Sequence, residues 1–131
     1  MNEPLWVERE DCLAIHDVLV DRFGGLAGVR DPALLEAALN RPRQRFAYGQ
    51  PTLFELAGAY AAGLIQNHPF LDSNKRTGFI AAALFLEING QHFRATEEEV
   101  VLCTLALAAG TITEHGYAAW LEQSSPRVPG V

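Results

Sequence analysis

Residues Leu53 to Ile88 read LFELAGAYAAGLIQNHPFLDSNKRTGFIAAALFLEI. Two apolar stretches, LAGAYAAGLIQ and Phe79 to Leu86, flank the nine-residue segment HPFLDSNKR, His68 to Arg76. A helix that is apolar nearly all round has no face to give to water and belongs in the core. Ala57, Gly58, Ala61, Ala62 and Gly63 are small enough for a neighbouring helix to approach closely. The pattern predicts two central helices packed on each other. The first opens at Thr52, with Glu55 completing a capping box, and ends near Asn67; the second runs from Asn74 to Asn89 with Gly90 as its stop.

Moving outward, Cys12, Ile15, Val18 and Leu19 recur at helical spacing and predict a helix from Glu8 to Phe23, ended by Gly24-Gly25. Asp31-Pro32 pairs an N-cap with a proline at the first helical position, predicting a helix that continues to Asn40 and stops before Pro42. Thr96 with Glu99 opens a fifth helix to Ala109, and Thr113 starts a sixth carrying Tyr117, Trp120 and Leu121. Two segments read as short extended pieces: RQRFAYGQP, Arg43 to Pro51, as a β-flap, and QHFRA, Gln91 to Ala95, as a brief strand. The expected class is all-α, a compact bundle of about six helices with a short β-flap, in one domain over residues 1–123 followed by a flexible tail over 124–131.

The net charge of −6 argues against direct DNA binding, which needs Lys and Arg gathered on one face. Cys12 and Cys103 each sit inside an apolar helical pattern and read as reduced, structural thiols. No signal peptide is visible at the start, and the uncharged stretch Val100 to Thr113 falls short of the ~20 residues that span a bilayer. The expectation is a cytoplasmic protein without a membrane segment.

The chemistry concentrates in the polar segment between the two most apolar helices. A helix start presents unpaired amides and the positive end of the macrodipole, and Lys75 and Arg76 add two cations there, which makes an anion pocket. Asp72 is a hard oxygen donor of the kind that shares Mg²⁺ with nucleotide phosphates. His68 is the nearby side chain whose ordinary pKa, about 6.5, suits a general base. Phe70 reads as the anchor of the loop in the core. Of the ten basic residues, nine are Arg and one is Lys75, so a compact ammonium is used at a single place. Each residue alone has a plainer reading: Ser73 or Asp72 as an N-cap, Arg76 as a partner for Glu87 or Asp72. The conjunction of base, metal ligand and cations at one helix start outweighs those. His16 reads as a satisfied core or interface residue, His92 and His115 as exposed, and Arg41, Arg43 and Arg45 as a solvated turn able to meet an acidic partner or phosphates.

HPFLDSNKR is similar to the Doc form of the Fic/Doc motif, H-x-F-x-[DN]-x-N-K-R, and the resemblance extends through IHDVLVDRFGGLAG, DPALLEAALNRP, RFAYG and ALFLEINGQ. It implies a compact helical fold, His68 as the base that deprotonates a target hydroxyl, Asp72 as the Mg²⁺ ligand, and Asn74, Lys75 and Arg76 as phosphate contacts, with Ser73 beside them in the nucleotide-binding set. Against the AMP-transferring pattern H-P-F-x-x-G-N-G-R-x-x-R, Ser73 and Lys75 replace two glycines and Phe79 replaces the second arginine. The resemblance therefore implies a toxin that acts as a protein Ser/Thr kinase, moving the terminal phosphate of ATP to a translation elongation factor of the Tu kind. AMP transfer and a non-catalytic antitoxin-binding module are the alternatives. Members of the family are also restrained by [ST]-x-x-x-E-[GN]. Here Thr52, Thr96 and Thr111 are followed four residues on by Leu56, Val100 and His115, so restraint is expected from a separate Phd-like antitoxin or not at all.

Overall fold

A computed structural model describes residues 2–126 as six helices: α1 Arg9–Phe23, α2 Pro32–Tyr48, α3 Leu53–Asn67, α4 Asn74–Ile88, α5 Glu97–Ala109 and α6 Glu114–Gln123. The all-α expectation holds. Most helix starts are set by the local signals in the sequence. Asp31 Oδ1 accepts the amides of Ala33 and Leu34 at the head of α2. Thr52 and Glu55 exchange side-chain-to-backbone hydrogen bonds at 3.1 Å each way, and Thr96 and Thr113 cap Glu99 and Gly116.

Helix α3 is the axis of the bundle: Leu56 through Ile65 are buried without interruption. Missing side chains set how closely its neighbours approach. A Cβ on Gly63 would come within 3.1 Å of the α2 backbone at Ala38, and one on Gly58 within 3.2 Å of Ala118 in α6. On the α4 side, a Cβ on Gly78 would lie 2.8 Å from Ile65. These close approaches lock α2, α4 and α6 against α3, and with them the junction where α3 hands over to α4.

The expected end of α2 before Pro42 is wrong, and so is the flap over Arg43 to Pro51: α2 runs through Pro42 to Tyr48. A proline inside a helix removes a hydrogen bond and costs about 3 kcal/mol. Contacts from the extra turns offset it. Arg41 and Arg45, one turn apart, both donate to Glu114 of α6, at 3.0 and 3.2 Å. Arg43 pairs with Glu8 and lies over the Trp6 ring at 5.3 Å, and Phe46 meets Trp6 edge-on at 5.7 Å. The three arginines therefore sit on a helix and bind acids of the same chain, rather than forming a solvated turn.

Gln91 to Ala95 likewise forms no strand; it runs past the end of α6, where the Arg94 amide donates to Ser124 O at 2.7 Å. Ser124 and Ser125, expected in the loose tail, are buried, and Ser125 Oγ donates to Leu121 O. Residues 127–131 of that expected tail lie outside the described residues. Cys12 is fully buried and Cys103 half-buried, both unpaired; burial, with Asp11 adding and Arg9 opposing, pushes the Cys12 thiol up to about 12. Among the described residues no helix is long and apolar enough to cross a membrane.

Candidate active site

Helix α3 ends at Asn67, and His68 turns the chain with left-handed dihedrals, φ 49° and ψ 54°. Five residues later Ser73 does the same, φ 63° and ψ 27°, and α4 begins. Two non-glycine residues in this region, each costing about 1–2 kcal/mol, bracket the loop. Several contacts hold them there. Phe70 is buried and forms an antiparallel bridge with Val29, while Leu71 N donates to Gly28 O and the Arg30 and Asp31 amides donate to Pro69 O. The Arg30 guanidinium donates to His68 O at 2.7 Å and to Asn67 O at 2.9 Å, neutralising the carbonyl end of α3.

From the other side His16 reaches in from α1. It is 1 % exposed, its ring stacks on Phe70 with centroids 3.9 Å apart and planes 8° apart, and its Nε2 lies 2.9 Å from Asp72 O. The role read from the sequence, a satisfied buried histidine, matches this burial. Its contact with the Asp72 peptide makes it part of the site's support as well. Asn74 departs from expectation. Its side chain is buried and closes the loop on itself, accepting from Phe70 N at 3.0 Å and donating to Phe70 O at 3.1 Å. The amide side chain expected to touch phosphate is committed to the loop, and what Asn74 has to offer a ligand is its backbone N–H.

Ser73 occupies the N-cap position of α4, yet its side chain caps nothing. The first-turn amides of α4 thus keep the free donors that an uncapped helix start presents. Around them the exposed side chains of His68, Asp72, Lys75 and Arg76 line one cavity of about 600 Å³. Its far wall is α5, through Val100, Thr104 and Leu105. Among the described residues neither Lys75 nor Arg76 has a carboxylate within ion-pair distance, so the alternative pairing of Arg76 with Glu87 or Asp72 does not form. Arg76 instead lies over the Phe23 ring at 4.6 Å.

Asp72 is positioned through both oxygens. Oδ1 accepts the Ser73 amide at 2.7 Å and Oδ2 the Leu26 amide at 3.3 Å. Gly25 makes room for it: a Cβ there would sit 2.8 Å from Asp72 Oδ2. Among the described residues no three His, Cys, Asp or Glu side chains gather to hold a metal. A single exposed carboxylate beside Lys75, Arg76 and an uncapped helix start fits Mg²⁺ when phosphate oxygens and water complete the shell, as that ion commonly requires. His92 and His115 are exposed and stand apart from this cavity.

The Fic/DOC family model matches residues 6–86, which takes in α1 to α4 up to Leu86 and the whole of the loop. The chain is 36% identical over 118 residues to the protein kinase doc of Escherichia phage P1, covering 89% of this chain and 93% of that protein. It is 42% identical over 93 residues to the toxin Doc of Mycolicibacterium smegmatis (strain ATCC 700084 / mc(2)155), covering 69% of this chain and 68% of that one.

Proposed function

The chain belongs to the Fic/DOC family, and from that premise we propose that it is a Doc-like toxin and ATP-dependent protein kinase that moves the γ-phosphate of ATP to a Ser or Thr hydroxyl of a translation elongation factor of the Tu kind. A separate, Phd-like antitoxin holds it in check in the cytoplasm. The observation that carries the reading is the meeting of His68, Asp72, Lys75 and Arg76 on one cavity, at a helix start that no side chain caps.

In this reading the His68 imidazole removes the proton of the target hydroxyl. The freed oxygen bonds to the γ-phosphorus while the bond from that phosphorus to the β–γ bridging oxygen breaks, leaving ADP. Lys75, Arg76 and the first-turn amides of α4 offset the charge on the phosphate oxygens throughout. Magnesium held by Asp72 and phosphate oxygens would add further charge neutralisation when bound. Phe79 stands where the AMP-transferring pattern has a second arginine, and Lys75 fills a glycine position of that pattern, which favours the terminal phosphate as the one moved.

The test is induced expression in a bacterial host. Wild type should arrest growth, and co-expression of the antitoxin should relieve the arrest. His68→Ala should be soluble, melt normally and leave growth unaffected. Arrest by folded His68→Ala would reject the catalytic assignment, and a wild type that neither arrests growth nor modifies any protein would reject the toxin.

A further inference from the structure

The cavity at the start of α4 does not end at the phosphate-binding cations. Phe79, Glu97 and Val100 line it and also line a second recess of about 490 Å³, which continues past Phe93 and Arg94. We infer that this second recess receives the purine base of the nucleotide whose phosphates meet Lys75 and Arg76. The inference rests on the reading of the site as an ATP-dependent transferase and names where the rest of the donor lies.

The direction comes from the helix. Phe79 follows Lys75 by four residues, so it lies on the same face of α4 about 6 Å further from the helix start. A nucleotide anchored by its phosphates at the amide end and running along α4 brings its base to Phe79. The surface there is aromatic. Phe79 and Phe93 meet edge-on, with centroids 5.6 Å apart and planes at 62°, and Trp120 backs both at 6.4 and 5.4 Å. Both phenylalanines are only half-buried, so ring surface is left for a base to stack on.

Charge fixes which end of the ligand goes where. Glu97, in the first turn of α5, lines this recess. Its carboxylate repels a triphosphate, whereas Lys75 and Arg76 at the other end attract it. A neutral base fits the acidic end, where the Glu97 carboxylate can accept a hydrogen bond from an exocyclic amine. Arg94 is exposed and, among the described residues, pairs with no carboxylate within ion-pair distance, so its planar guanidinium is free to stack on the second face of the base.

Titration calorimetry with Mg²⁺ present, using the β,γ-imido analogue of ATP and inorganic tripolyphosphate as the two ligands, tests this. Tripolyphosphate carries the anionic end without a base. Wild type should hold the ATP analogue about ten- to hundredfold tighter. Phe93→Leu, which keeps apolar volume and removes the ring, and Arg94→Ala should each lose about tenfold for the analogue and nothing for tripolyphosphate. If wild type binds both ligands alike, or the variants weaken both equally, the base subsite is wrong while the phosphotransferase reading stands. If wild type binds neither ligand, both readings fall.

Discussion

Gly24 and Gly25, side by side at the end of α1, give a controlled way to move Asp72 without touching the motif. Gly24 has φ 82° and ψ −179°, and Gly25 has φ 113°; an alanine at either is strained by about 1–3 kcal/mol. Each kcal/mol should lower the melting temperature of a chain this size by about 3–5 °C. The two positions differ in what a Cβ would meet. At Gly24 there is nothing within 4 Å, whereas at Gly25 the new atom would lie 2.8 Å from Asp72 Oδ2, 3.2 Å from Asp72 Cγ and 3.4 Å from Ser73 Oγ. An ordinary contact requires the carboxylate to retreat by roughly 0.5 Å or more, which also strains its hydrogen bond from Leu26 N. Misplacing a positioning group by that order costs about 10- to 100-fold in rate. Gly25→Ala and Gly24→Ala should therefore melt similarly early. Only Gly25→Ala should lose phosphate transfer and need more Mg²⁺ to recover part of it. The assays are thermal melts and transfer rates across a Mg²⁺ titration, taken well below both melting temperatures. Equal rates for the two variants would refute the idea that Gly25 is glycine for the sake of Asp72.

Three further outcomes follow from the same contacts. His16→Phe keeps a ring against Phe70 and removes the contact with Asp72 O, so transfer should fall by about tenfold while stability changes by less than ~2 kcal/mol; unchanged transfer would make His16 a packing residue only. Lys75→Arg preserves charge but not the compact ammonium, and should lose about 10–100-fold in kcat with the fold intact; full activity would remove any meaning from the lone lysine. Cys12 favours its neutral thiol in the folded state, moving from the ordinary 9.0 up to about 12, so its contribution is complete below pH 9 and is lost as pH rises from 9 through 12. Between pH 8 and about 10.5 wild type should lose about 2 kcal/mol more stability in urea than Cys12→Ala does, and parallel losses would contradict the assigned burial.

What the sequence made legible was what short-range chemistry decides. Thr52 with Glu55 and Asp31 with Pro32 lie within a few residues of the amides they cap, and the ten uninterrupted buried positions of α3 follow from its lack of any polar face. The reading failed where distant partners intervene. Pro42 argues for a helix end, and partners distant in the chain, Glu114 on one side and Trp6 and Glu8 on the other, make the extra turns worthwhile. His16 supports Asp72 across 56 residues of sequence and Arg30 caps the carbonyls of α3 across 38, separations at which no local pattern speaks. Asn74 shows a different limit: a motif position brings a residue type to the site without revealing whether its side chain faces the ligand or ties the loop, and here it ties the loop.

The central claim is that the phosphorus presented to the target hydroxyl beside His68 is the terminal one. Purified chain, an elongation factor of the Tu kind, Mg²⁺ and ATP labelled at either the γ- or the α-phosphate decide it directly. The γ-label should appear on a Ser or Thr of the factor, with none from α-labelled ATP and none from His68→Ala or Asp72→Ala. Label arriving from the α-phosphate instead would contradict the kinase and establish AMP transfer at the same site.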